Sequence, residues 1–288
     1  MIKNKIIIIL IIILIFLFGL STGYYKHFSF SSIFKFKNFI NNNEIPFKYY
    51  GRYYNETKTN PELDIEISNN SGIYLTYGQS NSANYGEIGY NVKNDVYHSF
   101  VGHIYKYKDP IIGSHGNSGS VWGMLGDKLI DKDFYDKIIF SNCGWGAAKI
   151  NQLNQDDYFG YLVLNYNALI QKFGRVDGIL FHQGESDNNE RIDDYYDEFT
   201  IFLNNLKANK IEIPIYLSRV SLCGKDTPIN KNLTDMQTKL INDYDIVKEG
   251  PNTDLLSDTK YRLDDYCHFS LLGFKKFSDM WVESLTKK

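Results

Sequence analysis

The 288-residue chain predicts an α/β layered domain with a mainly parallel central sheet. Three observations carry that prediction. Short apolar, β-prone runs recur along the chain. Segments with helical spacing lie between them. Polar, chemistry-bearing residues stand directly after several of the runs. Short continuous apolar runs suit strands buried on both faces of a parallel sheet, and strands alternating with helices build layered α/β domains.

The strand candidates are Gly72–Tyr77, Lys137–Ser141, Asp177–His182 and Ile213–Ser218. The helix candidates begin with Tyr158–Phe173, which ends at Gly174, a residue suited to the left-handed position after a helix. Ile192–Ala208 follows, with Tyr195, Tyr196, Phe199, Phe202, Leu203 and Leu206 on one stripe. Asn230–Asn242 and Leu271–Leu285 complete the set. In such sheets chemistry gathers beyond the carboxyl ends of the strands.

At the N-terminus, Lys3 and Lys5 precede an unbroken apolar run from Ile6 to Leu20, followed by Ser21-Thr22-Gly23. A charged start, an apolar core and small residues fit a secretory signal peptide. A comfortable span takes about 20 apolar residues, and the run extended by Ile2 and the neutral stretch to Tyr25 can just cross as an anchor. Both options keep the positive charges inside and export the remainder. The expected organisation is therefore a signal peptide or membrane anchor over 1–23, a Lys/Asn/Phe/Tyr-rich spacer over 24–70 with a strand near Ile45–Tyr53, and a domain over 71–288.

Composition narrows the function. Hydrophobic residues make up 43% and charged residues 23%, enough apolar material to offset the entropy of ordering a core. The net charge of -3 provides no basic field for nucleic acid. Three cysteines cannot form a disulfide framework. Cys143 and Cys267 both flank candidate site residues, so a bridge between them and free thiols are both open.

Four strand-end stretches carry the chemistry. Gly78-Gln79-Ser80-Asn81 places a Ser at a strand-to-helix turn, where its hydroxyl can be exposed and nearby N–H groups can meet an oxyanion. Ser and Asn are also ordinary turn and capping residues, and Ser82 stands where the second Gly of a G-x-S-x-G elbow would be. Asn142-Cys143-Gly144-Trp145-Gly146-Ala147-Ala148 is rich in small residues that allow close backbone approach. His182-Gln183-Gly184-Glu185-Ser186-Asp187 follows the third run. His182 and Glu185 read either as a hydrogen-bonded network or as two metal ligands, and no third ligand stands at a recognisable spacing. Asp264-Asp265-Tyr266-Cys267-His268 precedes the last helix, and an Asp three residues before a His can orient the imidazole through Nδ1.

In this order the stretches GQSNSAN (78–84), GSVW (119–122), CGWGAAKI (143–150), FHQGESD (181–187) and DDYCHFSLLG (264–273) resemble the SGNH (GDSL-like) hydrolase superfamily. More narrowly they resemble its sialate O-acetylesterase and carbohydrate esterase family 6 group. The resemblance spans residues 72 to about 285. It implies a flavodoxin-like three-layer α/β/α sandwich and a serine acetylesterase that needs no cofactor and no metal. Ser80 matches the family nucleophile, His268 the general base and Asp265 its orienting acid, with Asp264 a near alternative. The Ser80 and Gly146 N–H groups and the Gln183 amide match the oxyanion hole. One departure is that Ala147 stands where the family has a second Gly, with Ala148 and Lys149 replacing the usual hydroxyl residues.

The function expected is an exported carbohydrate O-acetylesterase acting on a glycan or sialic acid, periplasmic, secreted or anchored to the outer face of the membrane. The alternatives are an envelope glycan O-acetyltransferase using the same triad and an inactive glycan-binding protein. The expected partner is an O-acetylated carbohydrate, with membrane contact only through the N-terminal segment. Arg175, Arg191 and Arg219 are each able to meet a sugar carboxylate.

Overall fold

The computed structural model describes residues 61–189 and 192–287. The chain divides into two units, and all of these residues fall in the second, Phe47–Lys288. The segment 1–23 and the expected strand at 45–53 lie outside the described residues.

Seven strands form one sheet: β1 Ser71–Gly78, β2 Val96–Phe100, β3 His103–Lys106, β4 Lys137–Gly144, β5 Gly178–His182, β6 Ile215–Arg219 and β7 Val247–Asn252. Their order is β3-β2-β4-β1-β5-β6-β7. Only the β2–β3 pair is antiparallel. Among the described residues six α-helices accompany them: α1 Trp122–Asp131, α2 Ile150–Leu153, α3 Asp156–Phe173, α4 Ile192–Ala208, α5 Lys231–Asp243 and α6 Leu271–Thr286.

The core follows from the two-residue period of a strand. β1 is buried along its whole length between β4 and β5. Tyr74, Phe140 and Leu180 face one cluster, where Trp122 of α1 meets Trp281 of α6 with ring centroids 5.8 Å apart. On the other face Tyr77 stacks on Phe202 of α4 at 5.7 Å, and Phe181 meets Phe199 at 5.3 Å. Helices thus cover both faces, giving the expected three layers. Helix ends follow local chemistry. Ser270 caps α6 by accepting from the Gly273 amide at 3.1 Å, and Gly174 ends α3 at φ 76°.

The four expected strands and four expected helices all form, with ends moved by at most three residues. The sequence did not announce β2, β3, β7, α1 or the one-turn α2. β2 buries His98 and Ser99, β7 exposes Lys248 and Glu249 on an edge strand, and α1 carries the poor helix formers Gly123 and Gly126. Ahead of residue 71, the Leu63 amide donates to Ile104 O of the edge strand β3 at 2.8 Å and Arg175 donates to Ser68 O at 3.3 Å, so the end of the expected spacer contacts the domain.

The strands β4-β1-β5-β6-β7 have the doubly wound order, extended at one edge by β2 and β3. The chain leaves β1 for one side of the sheet and returns from β4 to β5 on the other. The carboxyl end of β1 is therefore the topological switch point, where crevices open in such sheets.

Candidate active site

Strand register sets the height of the first three site segments. Gly78 pairs with Gly144 on one side and with His182 on the other. Ser80, Gly146 and Gln183 thus follow one or two residues beyond the same level. Gly78 itself has φ 138°, and a Cβ there would lie 2.0 Å from His182 O. Only glycine admits both the backbone angle and that approach. The turn that follows makes Ser80 the first residue of a one-turn helix, Ser80–Ser82, so its N–H is outside intrahelical bonding. The turn is fixed by Gln79, whose amide donates to His182 O at 3.0 Å and whose Oε1 accepts from Ser186 N at 3.0 Å.

The fourth segment comes from the loop between β7 and α6. Asp265 Oδ2 lies 2.5 Å from His268 Nδ1, and Asp265 Oδ1 accepts from the amides of Cys267 and His268, both at 2.9 Å. Burial pushes the Asp265 carboxyl up, but these hydrogen bonds outweigh it and hold the group below its ordinary value. The contact fixes Asp265, not Asp264, as the partner of His268. His268 Nε2 is buried and has no hydrogen-bond partner.

Asn81, the residue after Ser80, joins the two halves. Its Nδ2 donates to Cys267 O at 3.1 Å, directly before His268, and to Glu185 Oε1 at 2.8 Å. Glu185 Oε1 also meets His182 Nε2 at 3.0 Å, with both side chains fully buried. Burial raises the Glu185 carboxyl, and the charge and hydrogen bond of His182 more than reverse that, so it stays lowered. His182 and Glu185 therefore form the hydrogen-bonded network of the two readings. Arg262 completes the support. It is 4% exposed and donates to Thr253 O, Leu256 O and Cys267 O at 2.9, 2.9 and 2.6 Å. Burial pulls its pKa down to about 10, which leaves it cationic at neutral pH.

A Cys223–Cys267 disulfide ties the histidine loop to the segment after β6, and Cys143 is buried and free. The bridge between Cys143 and Cys267 considered from sequence is thus corrected. Cys143 is buried within β4 in register with Tyr77, whereas Cys223 approaches Cys267 to a Cα distance of 4.0 Å. Closing a loop with a separation of 44 residues is worth about 4 kcal/mol in the chain-entropy account.

Two of the three expected oxyanion donors, Gly146 N and the Gln183 amide, are engaged at rest. Gly146 N donates to His115 Nδ1 at 3.2 Å. Gln183, fully buried, donates through Nε2 to Asp187 and to Ala148 O, the latter at 3.2 Å. Gln183 is therefore not a donor already waiting in the cleft. Ala147 sits at φ 57°, the left-handed conformation that favours glycine, so the departure falls at a position where a Cβ is strained. Of the candidate carboxylate-binding arginines, Arg175 pairs with Asp177 and Arg219 with Glu249. Arg191 lies outside the described residues.

Sequence reasoning missed Tyr85, His115, Cys223 and Arg262. Tyr85 stacks on His268 with centroids 5.2 Å apart and ring planes 18° apart. None of the four carries a local signal, since each is an ordinary loop residue until the fold brings it to the site.

The family of carbohydrate esterases described as sialic acid-specific acetylesterases matches residues 124–287, more than half of the chain. The chain belongs to this family. The acetylesterase-family match takes in Gly146, Gln183, Asp265 and His268 and begins after Ser80. The fold is shared with an Arabidopsis thaliana protein at 13% identity and TM-score 0.61, over 74% of this chain and 96% of that one. It is shared also with a putative GDSL-like lipase from Parabacteroides merdae at 14% identity and TM-score 0.52, over 78% and 98%. No curated protein matches the chain by sequence. This member of the esterase family is thus an enzyme of ester hydrolysis on a layered α/β scaffold.

Proposed function

We propose that the protein is an exported carbohydrate O-acetylesterase that removes O-acetyl groups from a glycan or sialic acid, with Ser80, His268 and Asp265 as its triad. The observation that carries this reading is the 2.5 Å contact of Asp265 with His268 Nδ1, which leaves a buried, unpartnered Nε2 on a loop tied to the Ser80 turn through Asn81 and Cys267 O.

A serine hydroxyl is a weak nucleophile until a base removes its proton. His268 Nε2 takes the Ser80 proton as Oγ attacks the acetyl carbonyl carbon. Asp265 holds the proton on Nδ1 and stabilises the imidazolium. Charge on the carbonyl oxygen meets the Ser80 N–H and, after exchange from His115 and Ala148, the Gly146 N–H and the Gln183 amide. His268 then gives its proton to the departing sugar oxygen. Water attacks the acetyl-enzyme with His268 again as base, releasing acetate and restoring Ser80.

Two observations support export. The Lys3/Lys5 start with its apolar run has the pattern of an export segment. The Cys223–Cys267 bridge suits an oxidising compartment. The test is turnover of a chromogenic acetyl ester by the full chain, with acetate release from O-acetylated sialic acid, xylan and peptidoglycan. Ser80→Ala should abolish turnover while leaving the fold intact. A folded Ser80→Ala variant with near-wild-type rates would overturn the proposal, and product acetylated on an added glycan would make the enzyme a transferase.

A further inference from the structure

Tyr85 spans the two ends of the candidate site. Its ring stacks on the His268 imidazole at 5.2 Å. Its hydroxyl reaches Gly146, where a Cβ would lie 2.2 Å from that oxygen. The acyl carbon must bond to Ser80 and place its oxygen at the Gly146 N–H, so it works within the strip that Tyr85 lines. The other substituents of that carbon are unequal. The sugar is large and has to leave through the mouth of the cleft. The alkyl part of the acyl group must then lie near Gly146, where Tyr85 and His115 both meet that glycine and Trp145 packs on His115 with centroids 5.4 Å apart.

The wall is fixed on both sides of the residue. The Asn84 amide donates to His115 O and the Gly86 amide to Gly119 O, both at 2.9 Å. Asn84 and Gly86 form bridges with Gly116 and Gly119. A Cβ on Gly116 would lie 2.8 Å from Tyr85 Cδ2, so the ring packs directly on that glycine. A side chain held in this way has little freedom to swing aside for a longer acyl chain.

We propose that Tyr85 is a specificity-determining residue that closes the acyl end of the cleft and limits the substrate to acetyl esters. The proposal rests on the acetylesterase function above. It is tested with nitrophenyl acetate, propionate and butyrate on full-length wild type, Tyr85→Phe and Tyr85→Ala, with circular dichroism on each preparation. One methylene in an apolar pocket is worth about 10–200-fold in kcat/KM. Tyr85→Phe, which removes one heavy atom, should raise the propionyl-to-acetyl ratio by about 10-fold. Tyr85→Ala should raise the butyryl-to-acetyl ratio by at least about that factor, even where loss of the stack on His268 lowers every rate. The ratio is internal to each variant, so a partly folded preparation still reports it. If all three esters slow in proportion, Tyr85 merely positions His268 and the proposal is overturned. Wild type already prefers acetate if the wall exists; Ser80-dependent turnover that favours butyrate also overturns it. No Ser80-dependent turnover in wild type sinks the acetylesterase reading itself, and this inference with it.

Discussion

Asn81→Ala should destabilise the domain and slow turnover together. Asn81 is 3% exposed, and its Nδ2 makes two bonds, at 2.8 Å to Glu185 Oε1 and at 3.1 Å to Cys267 O. The first is to a buried carboxylate whose other oxygen has no partner. A hydrogen bond to a charged group is worth about 1.5–3 kcal/mol and a neutral one about 0.5–1.5, so their loss comes to about 2–4.5 kcal/mol. Cys267 O keeps Arg262 as a second donor, which places the expected cost toward the lower half of that range. Asn81→Asp is nearly isosteric but replaces the donor by an acceptor facing Glu185 and a carbonyl. It should cost more than Asn81→Ala, the opposite of what size alone predicts. Urea unfolding at neutral pH gives both values, and a steady-state assay on the same preparations gives kcat. The kcat should fall in both because the Ser80 turn and the His268 turn lose their direct tie. An Asn81→Ala shift below about 0.5 kcal/mol, or an Asp variant as stable as wild type, would refute this account of the joint.

Two further outcomes are expected. The Asp265 carboxyl is held below its ordinary value in the fold, so its charged form stabilises the native state above the usual carboxylate range, and that contribution drains as pH falls through the lowered value. Asp265→Asn should therefore be less stable than wild type at neutral pH, with the gap closing in acid, and should lower kcat by about 10⁴ by favouring the wrong imidazole tautomer; a gap independent of pH would contradict this. Gln183→Ala should lower both melting temperature, through the lost brace on Asp187, and kcat by roughly 10²–10³, whereas a stability loss with unchanged kcat would reduce Gln183 to a brace.

Some of this protein was legible along the chain because the physics involved is local. Central strands such as Ser71–Gly78 and Gly178–His182 are buried on both faces and must be continuously apolar. The stripe of α4 and the glycine that ends α3 follow from helix geometry. The Asp265–His268 contact spans three residues, so its spacing could be read directly. The edges were less legible. β7 has one strand neighbour and one wet side, and its Lys248, Glu249 and Pro251 show no strand pattern.

What the tertiary structure alone decided are the relations between distant segments. Residue spacing leaves Cys143, Cys223 and Cys267 equivalent, and only the approach of the loop after β6 to the histidine loop selects the Cys223–Cys267 pair. Gln183 read as a free amide, yet packing of Asp187 and Ala148 against it occupies its hydrogens. Asn81 bonds to a carbonyl 186 residues away, and Tyr85 meets His268 across a similar distance in sequence. A chain's local chemistry sets which residues are able to react. Register between β1, β4 and β5, and the loop that returns over them, set which of those residues meet, because hydrogen bonds and ring contacts act over a few ångströms in space without regard to separation along the chain.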